Sequence, residues 1–339
     1  MSSSFCPLIP PIDLHKRFPL LPHHKHFISE ARKAAENIMR GEDERLIVFA
    51  GPCSIHEKEI AIEYASRLKQ LQRQVEDQIF LIMRVFIEKP RTQFGWKGFV
   101  YDPLLDGSYE IEQGLTNSRE LLLKLVKMEV PVATEFLDPL LPAYHGDLIT
   151  WGIIGARTSA SQIHRQMASH LDMPIGFKNE TDGMVDNAIC GALAARHPQA
   201  SIGIDENGQI CSLKSQGNPH THLILRGATH GPNYDHISVS EVIQKQRLSG
   251  LNSRLLIDCS HGNSQKDSQK QKSVFLSVLD QIQEGNHLIM GMMLESHLQG
   301  GNALSLTDPC LDWKSTEELL LWAHASLTAY QESHFFSLI

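Results

Sequence analysis

Apolar residues along this chain fall in short runs that alternate with longer amphipathic stretches. Eight runs have the length and the β-branched or apolar character of buried strands. These runs cover residues 46–50, 79–86, 130–134, 148–154, 174–177, 222–225, 255–257 and 288–294. Six stretches between them have amphipathic, helix-like patterns, at 57–74, 115–128, 161–170, 184–196, 238–248 and 265–282. Strands that alternate with helices indicate βαβ units and a parallel sheet.

The eight units carry no Gly-rich dinucleotide-binding turn, which favours a closed (β/α)8 TIM barrel over an open doubly wound sheet. Two segments do not fit a minimal barrel. Residues 1–45 are rich in proline and form an N-terminal extension. Asn207 and Gly208 join two alternating segments, which predicts a β-hairpin inserted at about 200–215. We therefore expect an extension over 1–45 and a catalytic barrel over 46–339 that carries this hairpin.

Composition narrows the class of protein. In 339 residues, 31 Lys and Arg against 39 Asp and Glu give a net charge of −8, which argues against nucleic-acid or polybasic membrane-surface binding. No run approaches the roughly 20 apolar residues of a membrane span, and the N-terminus does not resemble a signal peptide. Six scattered cysteines without a CxxC pair indicate reduced thiols. We expect a cytoplasmic protein.

Every predicted strand ends in a residue capable of chemistry. In chain order these residues are Cys53, then Arg84 with Lys89 and Arg91, then Glu135, Arg157, Lys178, Arg226, His261 and Glu295. Barrel enzymes place their chemistry at the carboxyl ends of the strands, where all these side chains meet. A single such residue could be explained as an ion-paired side chain. Because all eight predicted strands end in such a residue, the pattern indicates an active site.

Six of these residues are cations: Arg84, Lys89, Arg91, Arg157, Lys178 and Arg226. Gathering them at one mouth is costly without anions, so a phosphorylated and carboxylated small molecule fits best. Six separate surface ion pairs are the alternative. Lys178 is also compatible with a Schiff base to a carbonyl substrate.

A second group contains a thiol, an imidazole and two carboxylates: Cys53, His261, Glu295 and Asp308. Mn²⁺, Fe²⁺, Zn²⁺ or Co²⁺ would suit this mixture of soft and hard donors. The spacing alone leaves the metal open, because the residues lie far apart along the chain and a cysteine is often only a small buried apolar residue.

Seven motifs in order resemble one family: GPCSIH, MRVFIEKPRTQFGWKG, GARTSASQIHRQMAS, GFKNETDG, LILRG, DCSHGNSQKD and MLESH. They resemble the microbial class I 3-deoxy-D-arabino-heptulosonate 7-phosphate (DAHP) synthases, over about residues 40–330. The resemblance implies a transferase that condenses phosphoenolpyruvate with erythrose 4-phosphate in a metal-dependent reaction. The products are DAHP and phosphate, and the reaction is the first step of the shikimate pathway.

The resemblance also implies roles for individual residues. Those expected to hold phosphoenolpyruvate are Arg84, Lys89, Ala156, Arg157, Lys178 and Arg226. Those expected to bind erythrose 4-phosphate are Lys89, Pro90, Arg91 and Thr92, with Arg91 on its phosphate. The expected metal ligands are Cys53, His261, Glu295 and Asp308. Lys89, Cys53 and His261 are expected to take part in catalysis. Glu135 is the candidate for handling the water that adds to phosphoenolpyruvate, with pairing to a neighbouring cation as its alternative role.

The hairpin and the extension have counterparts in the family that form an inhibitor site, partly across a subunit interface. By this resemblance we expect inhibition by an aromatic amino acid, Tyr, Trp or Phe, and a homodimer or homotetramer. The hairpin is more similar to the Tyr- or Trp-sensitive members than to the Phe-sensitive ones. An unregulated structural hairpin is the alternative.

Three departures from the family pattern stand out. The segment between Glu295 and Asp308 is shorter than expected, Glu180 stands where we expect Gly, and Ala228 and Thr229 stand where we expect Gly and Lys. The shortened segment keeps open a non-catalytic paralogue that binds the same ligands. A sibling synthase acting on arabinose 5-phosphate is a further alternative, which the Lys-Pro-Arg-Thr segment disfavours.

Overall fold

Eight parallel strands form a closed barrel in the computed structural model, which describes residues 5–252, 254–301 and 307–337, with side chains up to residue 332. All strands of the described residues, those outside the barrel included, are in chain order β1 Leu46–Gly51, β2 Ile79–Arg84, β3 Val132–Glu135, β4 Trp151–Ile154, β5 Ile175–Lys178, β6 Ala200–Ile204, β7 Ile210–Lys214, β8 Thr221–Leu225, β9 Leu255–Asp258, β10 Ile289–His297, β11 Gln299–Gly301 and β12 Cys310–Asp312. The barrel order is β1-β2-β3-β4-β5-β8-β9-β10, and β1 pairs with both β2 and β10. The expected (β/α)8 barrel is confirmed.

Helices surround this barrel and precede it. They are α1 Pro11–Arg17, α2 Pro22–Arg40, α3 Lys58–Val75, α4 Ile111–Lys127, α5 Pro142–His145, α6 Gln162–His170, α7 Asp186–Ala195, α8 His236–Leu248, α9 Lys270–Gln283 and α10 Trp313–Ser337. None of the helices in the described ranges is both long and apolar enough to cross a membrane.

The extension contains two helices that the apolar pattern did not predict. Pro11 and Pro22 occupy the first positions of α1 and α2, where the missing N–H and the fixed φ of proline favour a helix start. On α2, Ala31, Ala35 and Ile38 pack against the apolar residues that fill the barrel. The extension therefore closes the end of the barrel opposite the strand carboxyl termini, where Arg254 donates to the Ile38 carbonyl at 3.0 Å.

Strand and helix boundaries differ from the predictions at two places near the site. The apolar run at 79–86 leaves the sheet after Arg84, and the helix expected from residue 265 begins only at Lys270. Gln265 and Lys266 have φ of 55° and 63°, a left-handed conformation that cannot continue an α-helix. Both departures lengthen loops at the mouth of the barrel.

The inserted hairpin is present as predicted. Strands β6 and β7 pair antiparallel, with Ile204 opposite Ile210 at the end next to the turn. Gly208 takes a φ of 75° in that turn, which only glycine adopts without strain. The N–H of Ile12 donates to the Glu206 carbonyl at 2.8 Å, so the tip of the hairpin lies against the start of α1.

Candidate active site

The strand ends bring the predicted residues to one mouth of the barrel. Arg84, Glu135 and Lys178 are the last residues of β2, β3 and β5, and Glu295 lies in β10. Because all eight strands are parallel, their carboxyl ends share one face. The expectation that chemistry-bearing side chains converge there agrees with the contacts described below.

Arg84 lies at the centre of this face and is fully buried. Its Nη2 donates to Glu295 Oε1 at 2.9 Å, and its guanidinium lies 4.2 Å from the centre of the Phe86 ring. Nε and Nη1 are buried and have no partner among the described residues. Buried donors without an acceptor are costly, so this guanidinium is suited to an anion that binds between the strand ends.

The other cations are held by two different kinds of contact. Lys178 Nζ donates to Asp258 Oδ2 at 2.6 Å, an ion pair in which both residues are buried. At the rim, Arg157 Nε donates to Thr92 Oγ1 at 2.7 Å. Burial lowers the pKa of Arg226, and the charge of Arg157 lowers it further against the opposing effect of Asp258. A buried cation with an exposed cation beside it is suited to a multiply charged anion.

Arg91, Pro90 and Ala156 lie around this centre. Arg91 is exposed and its Nε donates to the carbonyl of Trp96 at 2.8 Å, within its own loop. Pro90 and Ala156 are half-buried, next to Lys89 and Arg157 respectively. The loop after β2 thus presents its Lys-Pro-Arg-Thr segment at the rim of the mouth.

Three predicted metal ligands lie together. Cys53 Sγ and carboxylate oxygens of Glu295 and Asp308 are all within 4.8 Å of one another. His261 Nε2 approaches Glu295 Oε1 at 3.6 Å, while its Nδ1 lies 2.9 Å from Asp258 Oδ2. His261 thus lies at the edge of the cluster, with a φ of 53° that is unusual for a residue with a side chain.

The donors fit a divalent transition metal. A thiolate is a soft ligand, the carboxylates are hard, and an imidazole suits the same ions. Burial raises the pKa of the Cys53 thiol to about 11, and the nearby Glu295 adds to this effect. Lys89 Nζ lies 2.7 Å from Cys53 Sγ and opposes the shift. A divalent cation among these donors would favour the thiolate in the same way and more strongly.

Glu135 is buried beneath the end of β4. A Cβ placed on Gly155 would lie 2.0 Å from Glu135 Oε1, so a side chain at position 155 would force this carboxylate to move. The position brings the candidate water-handling residue to the correct face of the barrel.

The residues that depart from the family pattern make local contacts. Glu180 accepts from Asn187 Nδ2 at 2.9 Å, and Thr229 donates to the Thr181 carbonyl through both its N–H and its hydroxyl, each at 2.8 Å. The contacts of Thr229 join the loops after β5 and β8, whereas the contact of Glu180 joins the loop after β5 to α7. The shortened segment before Asp308 lies partly outside the described residues.

The comparison with known proteins identifies the family. A family model described as the DAHP synthetase I family matches residues 25–332. The chain belongs to the DAHP synthetase I family. The resemblance seen in the motifs is thereby confirmed, and with it the expectation of an enzyme of the transferase class.

Relatives of this DAHP synthetase match along nearly their whole length. The phospho-2-dehydro-3-deoxyheptonate aldolase, Tyr-sensitive, of Escherichia coli strain K12 is 46% identical over 332 residues, 94% of this chain and 93% of that protein. The Trp-sensitive enzyme of Enterobacter agglomerans is 43% identical over 324 residues, 92% and 93%. The solved structure of the phospho-2-dehydro-3-deoxyheptonate aldolase from Francisella tularensis SCHU S4 aligns with a TM-score of 0.94 at 41% identity, covering 97% and 99%.

Asp258 is a residue of this DAHP synthetase site that sequence reasoning missed. Its carboxylate contacts Lys178 and His261, one expected to bind substrate and the other to bind metal. Burial alone would raise the pKa of Asp258, but the charges of Lys178 and His261 hold it well below its ordinary value. The signal was present in the sequence, since Asp258 directly follows the predicted strand at 255–257 and begins the DCSHGN motif.

A cavity of about 1180 Å³ lies away from the mouth, between the hairpin, the extension and α6. Its apolar wall includes Leu140, Ile163, Met167 and Ile202. Its polar lining includes His15, Asp205, Glu206 and Lys214. The cavity is large enough for an amino acid and offers groups of both signs beside an apolar surface.

Proposed function

We propose that the protein condenses phosphoenolpyruvate with D-erythrose 4-phosphate, with a divalent metal ion, to give DAHP and phosphate. One observation carries this proposal. Arg84 contacts Glu295 and has two further buried donors that lack a partner among the described residues. Glu295 is also a member of the cluster that contains Cys53 and Asp308. An anion site and a metal site at one carboxylate suit a reaction between a phosphorylated acid and an aldehyde.

Phosphoenolpyruvate binds with its anionic groups among Arg84, Lys178 and Arg226, which are all buried. Lys89, Arg91 and Thr92 receive erythrose 4-phosphate at the rim. This arrangement holds C3 of the enol beside the aldehyde carbon, and such positioning supplies a large part of the rate.

In the reaction, C3 of phosphoenolpyruvate forms a bond to the aldehyde carbon, whose oxygen takes up a proton. Water adds at C2 and loses one proton, the C2–O bond to phosphate breaks, and the proton of the new C2 hydroxyl passes to the departing phosphate as the ketone forms. Cys53, Glu295, Asp308 and His261 would hold a divalent ion, which would supply positive charge near the aldehyde oxygen. Glu135 is positioned to handle the water, and Lys89 beside the thiolate is positioned to hold a proton near the reacting oxygen.

One assay tests the proposal against its alternatives. The protein is mixed with phosphoenolpyruvate and either erythrose 4-phosphate or arabinose 5-phosphate, and enol absorbance and phosphate release are followed. Turnover with erythrose 4-phosphate and added Mn²⁺ is expected. Its absence would indicate the non-catalytic paralogue, and turnover with arabinose 5-phosphate alone would indicate the sibling synthase.

The same assay tests the metal. Chelator is expected to abolish turnover, and Mn²⁺, Fe²⁺, Zn²⁺ or Co²⁺ added singly is expected to restore it to different extents. Turnover unaffected by chelator, with trapping by borohydride, would instead support a Schiff base at Lys178. The ion pair between Lys178 and Asp258 favours an ammonium in an anion clamp, because a Schiff base requires the neutral amine.

We also propose that the cavity beside the hairpin binds an aromatic amino acid that inhibits the enzyme. An aromatic ring suits the apolar wall, the carboxylates of Asp205 and Glu206 suit its ammonium, and Lys214 suits its carboxylate. Relatives named Tyr-sensitive and Trp-sensitive support an effector of this class. Calorimetric titration of the protein with Tyr, Trp and Phe tests this binding. If none of the three amino acids gives a heat of binding, an unregulated hairpin is supported.

The hairpin also supports the proposal of a homodimer or homotetramer. Ile202 and Ile210 lie on the same face of the hairpin and are 84% and 83% exposed. Two apolar side chains so exposed on one sheet face suit a second copy of the chain. Light scattering measured during size-exclusion chromatography is expected to give twice or four times the mass of the chain. The mass of a monomer would contradict the proposal.

A further inference from the structure

Glu88 precedes Lys89 and is 1% exposed, yet no step of the proposed reaction uses it. Its two carboxyl oxygens each accept a backbone N–H from the loop after β3. Oε2 accepts from Leu137 at 2.9 Å, and Oε1 accepts from Asp138 at 3.0 Å. The hydroxyl of Tyr101 also approaches, at 3.4 Å from Glu88 Oε1 and 3.1 Å from Asp138 Oδ2.

These bonds join two parts of the mouth that are about 50 residues apart in the chain. One part is the loop after β2, which carries the Lys-Pro-Arg-Thr segment. The other part follows Glu135 directly. Other contacts hold the β2 loop from other sides, since Lys89 donates its N–H to the Lys97 carbonyl at 2.8 Å and Ile55 donates to the Phe86 carbonyl at 2.8 Å. Glu88 supplies a side-chain attachment to two backbone groups of the β3 loop, next to the contact between Tyr101 and Asp138.

The environment of Glu88 is unusual for a carboxyl group. Burial raises its pKa to about 8, and the charges of Asp138 and Glu135 add to the rise, although the two N–H bonds oppose it. The hydroxyl of Tyr101 contributes no charge beside it. A glutamate is costly to bury in such surroundings, so a merely space-filling role is better served by an apolar residue.

We propose that Glu88 is a positioning residue, which fixes the Lys-Pro-Arg-Thr segment against the loop after β3 so that Lys89 and Thr92 meet the aldose phosphate. This inference rests on the proposed function. A carboxyl group suits the position because each of its two oxygens accepts from one of two adjacent N–H groups. The isosteric amide cannot do so, since its NH₂ group would face one of these donors.

Glu88→Gln is the diagnostic variant, and Asp235→Asn is its matched control. Asp235 also accepts two backbone N–H groups, from Ile237 and Ser238, but it caps α8 and takes both bonds on Oδ1. For Glu88→Gln we expect KM for erythrose 4-phosphate to rise and kcat to fall, together about 100-fold in kcat/KM, since a misplacement near 1 Å costs on that order. KM for phosphoenolpyruvate should rise less than KM for erythrose 4-phosphate, because Arg84, Lys178 and Arg226 lie outside the displaced segment while Lys89 is expected to serve both substrates. Glu88→Asp keeps the carboxyl group and should recover part of the loss.

A second measurement does not depend on turnover. Amide hydrogen exchange in the folded Glu88→Gln protein should be faster at residues 137–138 and in the segment 89–92, and unchanged in α8. Asp235→Asn, whose amide oxygen can still accept both bonds, should leave exchange unchanged at residues 137–138 and in the segment 89–92. Unchanged exchange at residues 137–138, or equal effects on the KM of both substrates, would overturn the inference. If the wild-type protein has no turnover, the proposed function fails while the exchange data still decide the role of Glu88.

Discussion

At the level of single residues, the site depends on groups whose geometry cannot be replaced by charge alone. Arg84 is an example, because one end of its guanidinium contacts Glu295 while Nε and Nη1 remain available to an anion. A planar fork can serve a carboxylate and a second acceptor together, whereas an ammonium is a compact charge on a flexible stem.

Arg84→Lys therefore keeps the charge and loses the fork. We expect KM for phosphoenolpyruvate to rise about 10- to 100-fold, which corresponds to about 1.4–2.8 kcal/mol of binding. Steady-state kinetics with each substrate varied in turn measure this. Arg73→Lys, in the last turn of α3, is the control, and a KM within about twofold of wild type for Arg84→Lys would contradict the role of the fork.

Cys53 is the soft donor of the proposed metal set. In Cys53→Ser a hydroxyl replaces the thiolate, so affinity for Zn²⁺ or Co²⁺ should fall at least about tenfold, while a smaller loss is expected for Mn²⁺, which prefers oxygen donors. Calorimetric titration with each ion tests this without substrate. The exposed Cys190→Ser is the control, and equal affinities in the two variants would argue against Cys53 as a ligand.

At the level of elements, the hairpin contributes residues of both strands to the cavity. Ile202 lines the cavity, whereas Ile210, on the partner strand and equally exposed, is not among its lining residues. Substitutions at Ile202 and Ile210 therefore distinguish a change in the cavity from a change in the hairpin as a whole.

Ile202→Asp places a carboxylate in the apolar lining, close to Asp205 and Glu206. We expect the affinity for the inhibiting aromatic amino acid to fall at least about tenfold, because burial of a ring beside a charge loses apolar contact and desolvates that charge. Inhibition curves and calorimetry measure the loss, and turnover without inhibitor should be unchanged. Ile210→Asp should retain inhibition. If it loses inhibition equally, the hairpin acts through the subunit interface rather than through the cavity.

The elements also show how far the apolar pattern predicts structure. The eight barrel strands and the hairpin were predicted because alternating or continuous apolar runs have a short, recognisable period. The helices of the extension were not, since their prolines look like loop signals until they are seen at the first helical position. Helix α9 starts later than predicted, because the left-handed conformation of Gln265 and Lys266 cannot be recognised from the hydrophobic pattern.

At the level of the whole molecule, buried histidines couple the fold to pH. His222 lies inside the barrel with its ring 4.9 Å from that of Trp151, and burial lowers its pKa to about 3. Burial likewise lowers the pKa of His145 to about 3. The unfolded chain binds protons at these residues below about pH 6.5, and the folded chain does not until about pH 3. Stability is therefore lost as the pH falls through this window and is unaffected by these groups above it.

His222→Leu removes one of the two groups. The free energy of unfolding by urea, measured from pH 7 to pH 4, should then fall less steeply, by about 1.4 kcal/mol per pH unit in the middle of the window. His26→Asn, at an exposed position of α2, should leave the slope unchanged. An identical slope in His222→Leu and wild type would show that His222 is already protonated in the folded protein.

The net charge of −8 illustrates the difference between composition and placement. It excludes classes of partner but does not describe the mouth, where Arg84, Lys178 and Arg226 are buried together. A cleft of opposite sign can attract phosphorylated substrates to an acidic protein.

The sequence by itself determined the order of strands and helices and the set of residues that end the strands. Both follow from local patterns, because an apolar period defines each strand and parallel strands bring their carboxyl ends to one face. The four metal-ligand candidates and the cations of the mouth could be named on that basis, together with the family motifs.

Only the tertiary structure decided which side chains contact one another. The pairing of Lys178 with Asp258 joins residues 80 positions apart, and the bonds of Glu88 to the β3 loop depend on how two loops pack. The cavity forms only when the hairpin, the extension and α6 come together. Such contacts depend on loop conformation and side-chain direction, which no periodicity along the chain encodes.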